Sequence, residues 1–455
     1  MKKILCVILS AIMLCSACIV GVYAQSPSDY RIISPYADVV WSGDDAWGAY
    51  RGSLHSHTTY SDSDIDLASM VKEYYKLGYD FLANSDHGTT GVEWNREPEK
   101  QLLYSYQTII GKKVAHLTDE EYEAISDGTF ENRGRGMLCV TGANELNNLS
   151  LTKNHVNGFF LPSDVGNGFG GVENEAGYEK AIKFVQDNGG LSHINHPGDW
   201  INTNADPEAV NDPENIEFFG DLILKYDSCL GLEVFNEGNG KTGYDRILWD
   251  NLLMYCLPYG KSVIGFSNTD AHTFLNCDSS FSVFMMEENT TENVRKTMQN
   301  GAFFAVTRVL RGSDFEIGPS EGFDTRGSGI PFPMYKELSV TGHTITVKAE
   351  YADEVQFIAD GKVIKKQSIG SEPVVLDLDE IEKAGEFSYV RAELKGEGGM
   401  CLSQALVIDD GSEPLSFEQK SDGRSFLNNV LLIIKSTKLW AIMQKIIMSV
   451  RKKIK

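Results

Sequence analysis

Short apolar runs alternate with amphipathic stretches along the chain from residue 25 to about residue 325. The apolar runs lead into polar loops, as in YDFLANSDHG, GRGMLCVTGANE, GGLSHINHPG, LGLEVFNEG and KSVIGFSNTDAH. Between them, stretches such as DLASMVKEYYKLG and YEKAIKFVQDNGG carry apolar residues at helical spacing. This alternation is typical of an α/β sheet or barrel, whose active-site loops follow the carboxyl ends of the strands. We therefore predict an α/β domain over residues 25–330.

A polar, charged stretch from Val92 to Arg135 interrupts this alternation. We interpret residues 92–135 as an insertion that could cap the site. Its single histidine, His116, is expected to lie on the surface.

The pattern changes again from about Lys336, where alternation with a period of two replaces helical spacing. LSVTGHTITVKAEYADEVQFIADGKVIKKQ reads as short strands joined by turns, with a DG turn at Asp360. We predict a small all-β sandwich domain over residues 333–412, in which His343 is structural. A linker over residues 413–425 would follow it.

The first 24 residues have the features of a secretory signal peptide. Lys2 and Lys3 precede an apolar run that ends at Val20, and GVYAQS then supplies a small-residue cleavage pattern. We expect cleavage after Ala24 and a secreted or cell-surface protein. A lipoprotein signal at Cys18 and a retained membrane anchor are the alternatives.

The last thirty residues, 426–455, interleave Leu, Ile, Trp and Met with six lysines and one arginine. Lys435, Lys438 and Lys445 interrupt any apolar span, which favours an interfacial amphipathic helix over a transmembrane one. We expect this tail to bind an anionic membrane surface. The alternative is a helix docked on the acidic body of the same protein.

Charge restricts the class of partner. The leader holds two lysines and the chain after residue 424 holds seven Lys or Arg, so residues 25–424 carry 32 bases against 64 acids. With a net charge of −32, this part of the chain repels a long nucleic-acid duplex unless local positive charge reverses the sign. The five cysteines outside the leader have no CxxC spacing, which argues against a disulfide framework and a zinc knuckle.

Histidines concentrate at the ends of the apolar runs, with carboxylates close by. Eight of the nine histidines lie in the range from His55 to His272. Mixed imidazole and carboxylate ligands are typical of zinc, manganese and iron sites. Side chains two apart in an extended segment face the same way, so His55 and His57 can share an ion. Because one domain collects several such pieces, we predict a polynuclear metal site.

The ordered motifs LHSHTTYSD, SDHG, GANE, NHPG and NTDAH resemble those of the PHP (polymerase and histidinol phosphatase) metal-dependent phosphoesterases. The resemblance covers about residues 50–310 and implies a distorted TIM-like barrel of about seven β/α units. It also implies two to three divalent ions (Zn, Mn or Fe) at the strand ends. The leader, the EVFNEGNG segment and the trailing β-domain are similar to secreted carbaryl-hydrolase-type members.

The resemblance also implies a ligand set, because all nine family ligand types are present. His55 and His57 would bind the first ion with Glu145 and Asp270, Glu145 would bridge to a second ion held by His155 and His196, and Asp62, His87 and His272 would hold the third. We take Asp270, His272 and Asp86 as the candidate catalytic residues.

Two assignments depend on choices within motifs. SHINHPG offers His193 and His196, and the family's ligand directly precedes proline, which favours His196. His193 would then be a supporting or core residue. Asp86 precedes the ligand His87, and we expect it to orient an imidazole N–H.

Three functions remain open. The first is a secreted phosphoesterase that uses a metal-bridged hydroxide on small phosphate esters, nucleotides (as a phosphatase) or short oligonucleotide ends (as a 5′ to 3′ exonuclease). The second is an amide, ester or carbamate hydrolase that uses the same metal site. The third is a non-catalytic surface binding protein whose β-domain does the binding.

Overall fold

A computed structural model describes residues 30–99, 102–147, 153–163, 175–237, 243–310 and 322–418. The predicted leader and the basic tail at 426–455 lie outside the described residues. All elements below belong to the described part of the chain.

The described residues form a mixed α/β structure. The helices are α1 (Leu67–Lys76), α2 (Leu102–Ile109), α3 (Asp119–Asp127), α4 (Glu175–Asp187), α5 (Pro197–Trp200), α6 (Pro213–Lys225), α7 (Asp245–Cys256) and α8 (Thr291–Asn300). The strands of the first part are β1 (Arg31–Ile33), β2 (Gly48–Ser53), β3 (Phe81–Leu82), β4 (Leu138–Cys139), β5 (Asn144–Leu146), β6 (Val156–Phe159), β7 (Leu191–Ile194), β8 (Cys229–Asn236), β9 (Ile264–Asn268), β10 (Ser280–Met286) and β11 (Phe303–Thr307). The later strands are β12 (Val309–Leu310), β13 (Phe323–Asp324), β14 (Met334–Thr341), β15 (Thr344–Glu350), β16 (Glu354–Ala359), β17 (Lys362–Ser368), β18 (Val374–Asp377), β19 (Tyr389–Gly396), β20 (Gly399–Leu402) and β21 (Leu406–Asp409).

The two stretches with helical spacing do form helices. In α1 the buried side chains include Leu67, Met70, Val71, Tyr74 and Tyr75, which recur at intervals of three and four and so share one face. Asp66 caps this helix by accepting a hydrogen bond from the Ser69 backbone at 3.1 Å. The second stretch becomes α4.

Two sheets surround the predicted site. A five-stranded sheet runs in the order β5-β6-β7-β8-β9, and a larger sheet contains β10, β2, β3 and β4 side by side. Single bridges join them, one between Ser56 and Ala271 and one between His87 and Glu145. The apolar core between the sheets includes Leu54, Phe81, Phe159, Phe266 and Phe303.

The mixed α/β architecture agrees with the expectation, whereas the distorted barrel of about seven β/α units stays a prediction. Among the described residues, the two sheets around the predicted site touch through isolated bridges, and no continuous ladder closes them into a barrel. Strands β3 and β4 are two residues long, so their ladders end before the sheets could join along their length.

The C-terminal strands form two packed layers, as a sandwich does. One layer is the sheet β14-β15-β18, and the other contains β16, β17, β19, β20 and β21. The second layer continues the larger sheet, because β20 pairs antiparallel with β11 from Ala305–Leu402 to Thr307–Met400. Strand β1 also joins this region by pairing with β21. The predicted boundary near residue 330 is therefore not a break in hydrogen bonding.

Two of the histidines that we assigned to non-catalytic positions, His343 and His116, lie outside the site. His343 stacks on Tyr30 at 3.9 Å between ring centroids, and its Nδ1 lies 2.7 Å from Asp379 Oδ1. It therefore fixes the start of the described chain against the β-region. His116 is exposed, with Nδ1 2.8 Å from the carbonyl of Leu117.

The insertion packs against the loop that follows His57. Gln107 donates to the carbonyl of Ser61, and Lys112 donates to that of Ser63 at 3.1 Å. Trp94 is buried and donates to Asn84 Oδ1 at 3.0 Å. The insertion therefore covers the outer side of this loop. Within the described residues, no helix has the length and apolar character needed to cross a membrane.

Candidate metal centre

The nine predicted ligands converge at one edge of the two sheets. His55 and His57 follow β2, His87 follows β3, Glu145 lies within β5, His196 follows β7, and Asp270 and His272 follow β9. Carboxyl ends of parallel strands meet at one edge, which explains how residues so far apart in sequence come together.

His155 reaches the same edge by a different route, because it precedes a strand. Strand β6 is antiparallel to both β5 and β7, with Val156 paired to Leu146 and to Ile194. The start of β6 therefore lies beside the ends of its neighbours.

Glu145 is at the middle of the cluster and is 1% exposed. Its carboxylate oxygens lie 2.9–3.4 Å from ring nitrogens of five histidines: His55, His57, His87, His155 and His196. A carboxylate in this position can bridge two cations.

Two aspartates complete the cluster. Asp270 Oδ1 lies 3.1 Å from His57 Nε2 and 3.3 Å from His55 Nε2. Asp62 Oδ1 lies 3.1 Å from His272 Nε2, and Asp62 Oδ2 lies 3.6 Å from His87 Nε2. The structure thus brings together all nine side chains, while their individual ligand roles remain predictions.

The donor set fits divalent cations. Around a tetrahedral ion with bonds of about 2.05 Å, neighbouring ligand atoms lie about 3.3 Å apart. The spacing of His55 Nε2 and His57 Nε2 is 3.1 Å, close to this value. Four groups offer three ligand atoms within 4.8 Å of one another: His55–His57–Glu145, His57–Asp62–His87, His57–Asp270–His272 and His87–Glu145–His155. His57 belongs to three of them.

Among the described residues, imidazole groups compensate the negative charge of the cluster. Among the described ion pairs, no lysine or arginine contacts Asp62, Glu145 or Asp270. Burial lowers the pKa of His87, but Glu145 and Asp62 outweigh it and raise that pKa to about 9. Burial raises the pKa of Glu145, but the neighbouring histidines, His155 first, hold it well below its usual range. The carboxylates thus favour positive charge at their centre, as cations would supply.

The role expected of Asp86 is corrected. Asp86 is buried, and it accepts hydrogen bonds from the Thr58 backbone at 2.7 Å and from Ser61 Oγ at 2.6 Å. Among the described hydrogen bonds it contacts no imidazole directly. Ser61 Oγ lies 3.2 Å from His57 Nδ1, so Asp86 acts on His57 only through Ser61. The physical reason is that the loop after His57 places the Thr58 and Ser61 donors next to the Asp86 carboxylate, which accepts from them in place of an imidazole.

The structure places the two histidines of SHINHPG in different surroundings, while the assignment of His196 as a ligand stays a prediction. His196 Nε2 lies 3.4 Å from Glu145, whereas the His193 ring packs on Phe266 with centroids 4.6 Å apart. Burial lowers the pKa of His193 to about 4, so that ring is neutral near pH 7.

Two residues that support the cluster were not singled out from the sequence. Asn195 donates to Glu145 Oε1 at 2.8 Å, which fixes that carboxylate. Glu233, in the middle of β8, lies 2.8 Å from His55 Nδ1. A lone carboxylate inside the apolar run LGLEVFN was the available signal, because a charged residue on a buried strand needs a partner.

Comparison with solved structures finds related architectures. A two-domain protein from Bacteroides vulgatus, containing a predicted PHP-like metal-dependent phosphoesterase, is 14% identical with a TM-score of 0.40, over 81% of this chain and 98% of that one. The chain is similar to PHP-like metal-dependent phosphoesterases. The other similar structures include the lesion-specific endonuclease EndoQ from Pyrococcus furiosus, at 12% identity and a TM-score of 0.30, over 55% of this chain and 56% of that one. A protein from Bifidobacterium adolescentis described as a metal-dependent phosphoesterase is 16% identical with a TM-score of 0.26, over 50% of this chain and 89% of that one.

No protein-family model and no curated protein matches the chain. All three TM-scores are below 0.5, so these similarities do not by themselves assign a function. The narrower similarity to carbaryl hydrolases stays a prediction.

Proposed function

We propose that this protein is a metal-dependent phosphoesterase that hydrolyses small phosphate esters, nucleotides or short oligonucleotide ends. The observation that carries the proposal is the convergence of nine His, Asp and Glu side chains around Glu145. Packing alone does not explain so many buried carboxylates and imidazoles at the strand ends. Apolar residues would fill the same space without the free-energy cost of burying polar and charged groups.

Divalent ions held by these residues would activate water and stabilise the charge that develops on phosphoryl oxygens. Glu145 would hold the ions together with histidines from both sheets, because its two oxygens lie within 3.4 Å of His57 and His196, which follow different strands. Ser61 and Asn195 would hold His57 and Glu145 in orientation. No side chain is needed as a nucleophile.

Substrate would approach from the side of Asp62 and His272, whose side chains are 30% and 32% exposed, while His55 and His57 are fully buried. Phe274 and Leu275 lie just beyond His272 and are 46% and 55% exposed. This apolar rim favours a leaving group with a flat apolar surface, such as a nucleoside or an aryl group. The acidic body at −32 disfavours a long duplex.

The test is hydrolysis by purified protein loaded with Mn²⁺, Zn²⁺ or Fe²⁺. The substrates are an aryl phosphate, a nucleoside monophosphate, a short oligonucleotide and a naphthyl carbamate. Glu145→Gln should abolish phosphate release, while the matched control His116→Ala, a histidine outside the cluster, should not change it. Faster turnover of the carbamate than of every phosphate would instead assign a carbonyl hydrolase. No turnover by fully loaded protein, with glycan binding through residues 333–412, would assign a binding protein.

We also propose that the protein is secreted and that its basic tail attaches to anionic lipid. The support is the sequence pattern of residues 1–24 and 426–455, with about 1 kcal/mol per basic residue near an anionic surface. Deleting residues 426–455 should leave hydrolysis intact and abolish co-sedimentation with anionic vesicles at low salt. If full-length and truncated proteins sediment equally, the tail does not bind lipid. A lower melting temperature of the truncated protein would indicate docking on its own body.

A further inference from the structure

Glu233 is fully buried in β8, and its carboxylate reaches two separate parts of the metal centre. Oε1 lies 2.8 Å from His55 Nδ1 and accepts from Asn268 Nδ2 at 3.0 Å. Oε2 accepts from the backbone N–H of His196 at 3.1 Å and from Asn236 Nδ2 at 2.8 Å. One side chain therefore contacts both the strand end that carries His55 and the loop that carries His196.

All four groups around Glu233 are donors, and this fixes what the side chain can be. A carboxylate offers acceptors only, so it satisfies the four donors at once. A glutamine of the same size would present an N–H₂ group to one of the two pairs and leave buried donors facing a donor. The site is thus specific for the ionised carboxylate and not for a polar side chain in general.

The contact with His55 sets the tautomer of that ring. When Nδ1 donates to Glu233, Nε2 keeps its lone pair, and Nε2 is the atom that faces Glu145 and Asp270 at 3.3 Å. An acceptor on the remote nitrogen of an imidazole is the usual device that orients a metal-binding histidine.

The contact with His196 holds an unfavourable backbone. His196 has φ 28° and ψ 55°, in the left-handed region that non-glycine residues seldom adopt. The hydrogen bond from its N–H to Glu233 stabilises this conformation, and the conformation aims Nε2 at Glu145.

We propose that Glu233 is a positioning residue that couples the two halves of the metal centre, by fixing the His55 ring and the His196 backbone with one carboxylate. It supports the ligand residues and does not itself bind the ions. The inference rests on the metal binding assumed in the proposed function, and it adds a residue that the nine ligand motifs do not contain.

The test is the affinity of the full-length protein for Mn²⁺ and Zn²⁺, measured by competition with a chelator. Glu233→Gln should weaken at least one metal equivalent about 10- to 100-fold, the range for loss of an outer partner of a ligand histidine. The visible absorption spectrum of the Co²⁺-loaded variant should also change, because ring orientation alters the ligand field. The matched control is Glu393→Gln, an equally buried glutamate that contacts arginines away from the centre, and it should keep wild-type affinity and spectrum.

Each outcome separates this inference from the proposed function. Wild-type protein that binds no metal would overturn the proposed function, and this inference with it. Wild-type affinity and spectrum in Glu233→Gln would overturn the inference alone, as would an equal loss in Glu393→Gln. If Glu233→Gln does not fold, Asn236→Ala, which removes one donor to Oε2 and keeps the carboxylate, should weaken binding without changing the number of ions. Unchanged affinity in Asn236→Ala would then count against the coupling.

Discussion

Two clusters of buried charge in this protein are built in opposite ways. The first is the metal centre. The second, which we call the ion network, consists of Arg246 and Asp250 on α7 with Arg391 and Glu393 on β19. Each of these four residues is at most 1% exposed.

The ion network neutralises itself. Arg391 donates hydrogen bonds to Asp250 from Nε at 2.7 Å and from Nη2 at 2.6 Å, and its Nη1 donates to Glu393 at 2.7 Å. Arg246 Nη1 lies 3.3 Å from Glu393 Oε2, so two guanidinium groups face two carboxylates. A fork of this kind satisfies both charge and geometry without a ligand. Its consequence is structural, since it ties a helix of the α/β region to the C-terminal sheet.

Within the described residues, the candidate metal centre contains no such permanent cation. Asp62, Glu145, Asp270 and Glu233 contact histidines but no lysine or arginine among the described ion pairs. Histidine can lose its proton and offer a lone pair, whereas arginine cannot. A buried acidic cluster compensated only by imidazole can therefore exchange protons for metal ions. The comparison indicates that the kind of base, more than burial, separates a binding site from a structural ion pair.

The largest effect should come from His57→Ala, which removes a member of three of the four candidate ligand groups. We expect the loss of at least one equivalent of bound metal. Activity should fall by more than about 100-fold, the upper range for removing a residue that only supports a ligand histidine. Elemental analysis and initial rates check this. Full activity with unchanged metal content would mean that the cluster is only another structural network.

Arg391→Ala should break the ion network and spare the centre. Removing one partner of a buried ion pair leaves Asp250 uncompensated and should lower the free energy of unfolding by about 3–5 kcal/mol. Urea unfolding of metal-free protein measures the loss, and metal affinity of the folded variant should stay at the wild-type value. If the free energy of metal binding falls by more than the free energy of unfolding, the two clusters are not independent.

His193→Phe tests whether the remaining histidine of SHINHPG belongs to the core. The folded-state pKa of His193, lowered to about 4 by burial, lies below its unfolded value of about 6.5. The unfolded chain therefore binds more protons between these values, and wild-type stability falls as the pH is lowered from about 6.5 to 4. Relative to the variant, wild type should lose up to about 3 kcal/mol over this window and nothing above pH 7. If the free energies of unfolding of the two metal-free proteins depend on pH in the same way, His193 is not a neutral residue of the core.

The smallest effect should come from Tyr389→Phe, at the edge of the ion network. The Tyr389 hydroxyl donates to Asp250 Oδ1 at 2.5 Å, but Arg391 contacts the same carboxylate. We expect a loss of about 1.5 kcal/mol in the free energy of unfolding, the lower end for a hydrogen bond to a charged group. A loss as large as that of Arg391→Ala would show that the hydroxyl, and not the guanidinium, holds Asp250.

The sequence alone led to the nine side chains of the cluster because each lies in a short local pattern. His55 and His57 are two apart in an extended segment, and Asp270 and His272 repeat that spacing after another strand. The end of an apolar run is visible in one dimension, and strand ends share an edge in α/β folds. The family resemblance, in which the ligand directly precedes proline, favoured His196 over His193, while the sequence pattern placed His116 and His343 outside the site.

Other features depended on partners far away in the chain. Glu233 contacts His55, which is 178 residues away in the chain. Asp86 accepts hydrogen bonds from Ser61 and Thr58, on the loop after His57, and not from an imidazole. The sheets join through single bridges in place of a closed barrel, and β20 extends the sheet through β11, across the boundary expected from the change in pattern. Hydrogen bonds between strands carry no sequence signature of their own, because backbone groups are the same in every residue.

Local chemistry therefore determined which side chains could hold metal ions, since ligand type and spacing are properties of short segments. Only the tertiary structure decided how those side chains are held. Orientation of a ring or a carboxylate depends on the atoms packed behind it, and in this protein those atoms come from strands that are distant in sequence.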